Sequence, residues 1–237
     1  AHDRGGVALG DLAHHAGFSR PTVHRMLKCL CDEGVVAQDP VTRRYRLGHL
    51  LFELGLAAAP RVDLAALCQP ALIRIAQRTG DTAFLSVRSG YDAVCIGRQE
   101  GAFPIRTLLL EIGTRRPLGA GAGGIALLAP LADEAVREVA QANAPRFKAF
   151  AGLTPTRLLT LVKRARETGY ALNDLHFTPG ALSIALPIRD RARQPIAAIS
   201  IGAIESRMTP PRQRELAALL GAEIEALERL VAEAMAP

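Results

Sequence analysis

The segment Leu9–Leu30, LGDLAHHAGFSRPTVHRMLKCL, constrains the fold of the chain's N-terminal part more than any other stretch. Leu9, Leu12 and Ala13 recur at helical spacing, and Gly17 interrupts them where a tight turn is needed. Ser19 is placed to cap a second helix, and Pro21 falls in its first turn, where a missing N–H costs little. Val23, Leu27 and Leu30 stand at i, i+4 and i+7 and form the apolar stripe that docks this helix on the first. Thr22, His24, Arg25 and Lys28 are then left facing outward. A short, polar, cationic helix held at a fixed angle is what reading a DNA major groove requires. Helix pairs joined by a glycine turn also occur as ordinary helical packing, so spacing alone leaves both readings open.

The residues after the helix pair favour DNA. Val35–Gln38 and Arg44–Leu47 are short extended runs around Asp39-Pro40-Val41-Thr42-Arg43, a turn-rich hairpin tip. Arg43, Arg44 and Arg46 lie on or beside that tip. A basic hairpin directly after a candidate recognition helix reads as a wing, whose arginines reach phosphates or the minor groove. Ser19 and Arg20 at the start of the second helix complete the candidate DNA-contacting set.

Bulk properties permit this without demanding it. The formal net charge is +6, yet residues 1–62 hold eight Lys/Arg against six Asp/Glu, a net of only +2. The electrostatic case therefore rests on where the cations stand along the helix and wing. The 237 residues suffice for two modest domains, and no apolar run is long enough to span a bilayer. No basic-then-apolar leader opens the sequence, so a cytoplasmic protein is expected. Cys29, Cys31, Cys68 and Cys95 are scattered and away from clustered histidines, which predicts reduced thiols and neither a metal site nor a cofactor.

Downstream, a helical linker ends at Pro60, and a helix over Leu64–Arg78 is expected to kink or restart at Pro70. Strands are predicted at Thr82–Arg88, Asp92–Arg98, Ile105–Ile112, Tyr170–Asn173, Leu182–Ile188 and Ile196–Ile201. Helices are predicted at Asp133–Ala142, Pro155–Thr168 and Pro210–Ala234. A glycine-rich loop, Pro117–Gly124, leads into the apolar segment Ile125–Leu131. Strands mixed with flanking helices give an α+β class with an antiparallel sheet.

Three segments together resemble the IclR (isocitrate-lyase-regulator) family. They are LGDLAHHAGFSRPTVHRMLKCL with DPVTRRYRLG, then RRPLGAGAGGIALLA, then GYALNDLHFTPGALSIALPIRD with PIAAISIGA. The resemblance implies a winged helix-turn-helix over 1–48, a linker helix over 49–62, and a GAF-like effector-binding and oligomerisation domain over 63–237. It also implies a ligand-responsive bacterial transcriptional regulator, not an enzyme, that binds operator DNA as a homodimer or homotetramer and senses a small organic acid. Carried over by position, its effector pocket would use backbone near Ala122 and Gly123, side chains of Asn173, Ser183 and Ser200, and Ile105 and Ala181 as apolar wall. Exposed N–H groups ahead of a helix suit a carboxylate, although such glycines also serve close helix–sheet packing. Strand serines are, in turn, often satisfied by nearby backbone.

The chain departs from the family pattern in places. Asn173 replaces an acid or serine, His176 a glutamate, and Gly202 a second serine. Loss of those polar groups points to a larger, partly apolar acid, aromatic or branched, with Phe177 as lid or wall. Family members also carry one more helix ahead of Leu9–Ala16, which Ala1–Leu9 is too short to supply, so Leu12, Val23 and Leu27 are expected to lose packing partners. Two other readings stay open at this point. One is an enzyme with His176 and Ser183 as base and nucleophile, which lacks a nucleophile elbow, metal spacing or paired carboxylates. The other is an adaptor using the helix pair for protein contacts.

Overall fold

A computed structural model describes residues 5–57, 62–105, 110–175 and 177–234. The chain divides into two compact units, Ala1–Arg61 and Val62–Pro237.

In the first unit, α1 (Leu9–Ala16) ends on Gly17 in the left-handed conformation, and α2 (Arg20–Asp32) begins on the Ser19 cap. Val23 and Leu27 are buried with Ala13 and Tyr45, and Leu9, Leu12, Cys31 and Val36 pack around them. The two α2 residues expected to lack partners therefore find them in α1 and the wing. Leu30, expected in the same stripe, is 39% exposed. Beyond Leu27 the stripe outruns α1, which is only eight residues long. Strands β1 (Val36–Gln38) and β2 (Tyr45–Leu47) pair antiparallel, and Val7 adds an antiparallel bridge to Tyr45. Gly48 allows the return of the wing to the end of α2, because a Cβ there would lie 1.9 Å from the Gly34 carbonyl oxygen. Helix α3 (Leu50–Ala57) comes next. The expected linker over 49–62 runs past it into residues 58–61, which lie outside the described ones.

The second unit opens with α4 (Leu64–Thr79), capped by Asp63, whose carboxylate accepts from the Ala65 and Ala66 N–H groups. The helix neither stops nor restarts at Pro70. Cys68, Ala71, Leu72, Ile75 and Ala76 are all buried against the sheet, and this packing offsets the roughly 3 kcal/mol that an interior proline costs. Then come β3 (Thr82–Ser89), β4 (Asp92–Gln99) and β5 (Arg115–Pro117). Of the strand expected over Ile105–Ile112, the described residues 105 and 110–112 are not in a strand. Residues 106–109 lie outside the described ones, Ile105 and Ile112 are both exposed, and the pairing to β4 is made by Arg115–Pro117.

Helices α5 (Ala122–Leu128), α6 (Asp133–Phe147) and α7 (Pro155–Thr168) precede β6 (Ala171–Asn173), β7 (Ala181–Arg189) and β8 (Pro195–Ile204). A 3-10 turn at Glu205–Arg207 and the long α8 (Pro210–Ala234) complete the unit. Helix α6 passes Pro145 and outlasts its predicted end at Ala142, because Asn143 and Phe147 in the added turn are buried. The Asn143 amide also donates to the Tyr91 carbonyl.

All pairings in the six-stranded sheet, order β5-β4-β3-β8-β7-β6, are antiparallel. Alternation divides its two faces. Leu182, Ile184, Ile188, Ile199 and Ile201 point toward α4 and α8, whereas Ala185 and Ala198 point toward α5 and α7. Helices α4 and α8 are tied by Glu223, which accepts from Arg74 at 2.7 Å. Asp81, in the turn after α4, accepts from Arg207 at 2.9 Å and from Arg212 at 3.1 Å. Both arginines also donate to the Thr79 carbonyl, and Arg207 stacks on Phe103. Removing one partner of such a group leaves charge uncompensated. Asp81→Asn should therefore lower the unfolding free energy of the second unit by roughly 3 kcal/mol, to be measured by urea titration.

Candidate functional site

In the first unit the candidate nucleic-acid surface is built on α2. Ser19 Oγ accepts from the Thr22 N–H and lies 2.8 Å from Thr22 Oγ1, so both hydroxyls are engaged in starting the helix. Arg20 folds back over the first turn of α1, where a Cβ on Gly10 would meet its Nη2 at 3.0 Å. His24, Arg25 and Lys28 are exposed, as the spacing requires. They share the surface with exposed Met26, which periodicity did not single out.

The wing tip is locally determined. Asp39 Oδ1 accepts from the Val41 and Thr42 N–H groups, and the Thr42 backbone bond leads in holding its carboxyl below the usual range. Arg43 takes a left-handed conformation, φ 58°, and the Gln38 amide donates to its carbonyl. Arg43 and Arg46 are exposed. Arg44 is also exposed, but its guanidinium donates to the Gly6 carbonyl at 2.8 Å and so braces the wing against the Val7 bridge.

In the second unit a cavity of about 40 Å³ lies between the sheet and α5. Ala122, Gly123, Asn173, Ala181, Ser183 and Ser200, six of the positions implied by the resemblance, line it. Ile105 does not, and it is 60% exposed. Phe177 forms part of the wall, together with Phe84 and Leu110. His176 lies outside the described residues.

Sequence reasoning missed Ser86, Cys95, Thr114, Arg116 and Thr178 in the lining. Strand alternation was a usable signal for Ser86, which stands two residues beyond Phe84 on β3, as Ser183 stands two beyond Ala181 on β7. No comparable signal existed for Arg116, because β5 was expected elsewhere. Burial pushes the Cys95 thiol above its ordinary value and Cys68 up to about 11, so both stay protonated. Among the described residues no group of three potential metal ligands forms.

Ser86, Ser183 and Ser200 converge from β3, β7 and β8, only 3%, 6% and 5% exposed, and their hydroxyls make no hydrogen bond with described residues. Strand serines are commonly satisfied by nearby backbone, but these three are left for whatever fills the cavity. The glycines above them differ in role. A Cβ on Gly124 would lie 2.8 Å from the Gly119 nitrogen, so this residue serves close packing. A Cβ on Gly123 would stand 3.5 Å from Ser86 Oγ and 3.9 Å from Ser200 Oγ, at ordinary contact and inside the cavity. Helix α5 has seven residues and no side-chain cap at Gly121, which leaves little macrodipole to hold an anion.

The profile described as IclR helix-turn-helix domain matches residues 1–40, and the one described as Bacterial transcriptional regulator IclR C-terminal matches residues 56–229. The chain belongs to the IclR family. It is 30% identical over 223 residues to the transcriptional repressor IclR of Escherichia coli K12, covering 93% of this chain and 81% of that protein. It is 33% identical over 228 residues to the HTH-type transcriptional regulator BhcR of Paracoccus denitrificans, covering 95% and 80%. Among solved structures, an IclR regulator from Alicyclobacillus acidocaldarius superposes with a TM-score of 0.78 at 24% identity, over 98% of this chain and 93% of that one. The Thermotoga maritima IclR superposes at 0.70, also at 24% identity, over 97% and 93%.

This IclR-family chain is thus a transcriptional regulator with a helix-turn-helix DNA-binding part and a C-terminal ligand-binding domain. Its relatives are named as transcriptional repressors and regulators, which supports the regulator reading over the catalytic one raised for His176 and Ser183. Among the described residues no helix is long and apolar enough to cross a membrane. The two glycines of α5 should respond oppositely to a methyl group. Gly123→Ala should raise stability by up to about 1 kcal/mol, the helix-propensity gain, while Gly124→Ala should cost about 1–3 kcal/mol by overpacking. Thermal unfolding of the two variants checks the pair.

Proposed function

We propose that a small carboxylate binds in the cavity beneath α5 and changes the affinity of α2 and the wing for operator DNA. The observation that carries the effector half is the convergence of three hydroxyls from three strands, on buried residues and without hydrogen bonds to described residues, on one cavity. Each hydroxyl can both donate and accept, so the three together suit a polar group bound in the cavity.

Size refines the expectation from sequence. About 40 Å³ is room for a few waters or a compact acid. An aromatic ring would require Phe177 and Leu110 to give way. A short or branched aliphatic acid is the better fit, with its apolar body against Phe84, Phe177 and Ala181.

The DNA half rests on the exposed His24, Arg25 and Lys28 and on the wing cations Arg43 and Arg46, with a symmetric homodimer or homotetramer presenting two such surfaces to two half-sites. Ser19, Thr22 and Arg44 serve chiefly to position these groups, and Arg20 lies toward α1. Effector and DNA sites in one chain become allosteric only if each ligand changes the affinity of the other.

Arg25→Ala and Lys28→Ala should each weaken operator binding in gel shifts, and Arg46→Ala should lower the salt slope by about one. Unaltered binding in all three variants would remove the α2–wing surface from the account. For the effector, pyruvate and isobutyrate should raise the melting temperature more than benzoate does. The opposite ranking would overturn the size argument.

A further inference from the structure

Strand β5 carries two adjacent arginines to opposite fates. Arg115 donates to Ser89 Oγ and to the Asp92 carboxylate on the exposed side. Arg116, paired with Ala93 across the ladder, lines the cavity instead. Period-two alternation along an edge strand thus brings one guanidinium to the interior. No Asp or Glu is among the described lining residues. Cys95 is the other ionisable residue among the described lining residues, and burial raises its pKa so that the thiol stays protonated.

The three serine hydroxyls each donate and accept, so alone they would hold an amide or an alcohol as readily as an acid. The cation is what can tell these apart. We propose that Arg116 selects an anionic effector, taking its carboxylate through charge-assisted hydrogen bonds while Ser86, Ser183 and Ser200 bind its remaining polar atoms. This assignment rests on the cavity being the effector site and adds the residue that sets its specificity.

Two further features support it. Helix α5 is only seven residues long and supplies little macrodipole, so a side-chain cation adds positive potential that the helix does not provide. Burial lowers the Arg116 pKa, yet a guanidinium remains charged at neutral pH. Its five N–H donors also let it bond within the protein and still offer a pair to a carboxylate. None of the positions carried over from the family resemblance is charged, so this arginine gives the chain's cavity a chemistry those positions do not describe.

The test is calorimetric titration of the full chain with acetate, pyruvate and isobutyrate and with the corresponding amides. Wild type, Arg116→Gln, Arg116→Lys and Ser183→Ala are compared. Wild type should prefer each bound acid over its amide by roughly tenfold or more. Arg116→Gln should weaken acid binding by roughly ten- to a hundredfold and abolish the preference. Arg116→Lys should retain part of it. Ser183→Ala should weaken acid and amide alike. Undiminished acid binding by Arg116→Gln would overturn the role of Arg116 while leaving the effector site standing. So would a wild-type acid-to-amide ratio near one, which needs no variant to fold. Failure of wild type to bind any of the three acids would overturn the carboxylate reading itself, and this assignment with it.

Discussion

The arrangement of the second unit depends on the antiparallel pairing of β7 with β8 and the way it sorts side chains. Nine and ten residues long, these strands place Leu182, Ile184, Ile188, Ile199 and Ile201 on one face and Ala181, Ser183, Ala185, Ala198 and Ser200 on the other. The bulky face buries α4 and α8 in a continuous apolar core. The small face receives α5, whose Gly124 packs against the backbone of the Leu118–Gly119 loop that leads into the helix. At Gly123, which faces Ser86 and Ser200, a space remains and the serines line it. Cavity and core are therefore two consequences of one alternation. A one-residue slip of either strand would exchange them.

Electrostatics fixes what alternation leaves loose. Glu223 ties α8 to α4 through Arg74, and Asp81 ties the end of α4 to the start of α8 through Arg207 and Arg212. Such groups add modest net stability but penalise alternative registers, because each would strand a buried charge. In the first unit the same selectivity comes from local hydrogen bonds: the Ser19 cap, the Asp39 turn and the Arg44 brace. These bonds determine which cations remain on the surface. Arg25, Lys28, Arg43 and Arg46 stay outward, while Ser19, Thr22 and Arg44 are engaged in holding the frame.

Reading the sequence was most effective where structure is local. Helices α7 and α8 have the bounds that periodicity and capping implied, because Thr154 caps one and Gly169 ends it, and Pro210 opens the other. Ser183 and Ser200 were found through the family resemblance, and both line the cavity. The misses share a cause. Propensity predicts a kink or restart at Pro70 and an end to α6 at Ala142, but with the residues around each proline buried, α4 does not restart and α6 runs on past Pro145. Leu30 and Ile105 are expected in the interior as apolar residues, yet both are exposed among the described residues.

The amino-acid sequence by itself determined the family, much of the order of elements and the cationic face of α2, since each rests on short-range spacing and capping. Tertiary structure alone decided which side chains come together around the cavity. Ser86 and Arg116 come from strands with no sequence motif of their own, and pairing with distant partners, Ala198 for one and Ala93 for the other, sets which way each residue faces. Strand alternation fixes the relative orientation of neighbouring side chains, but only the sheet and the helices laid on it define which side is inside.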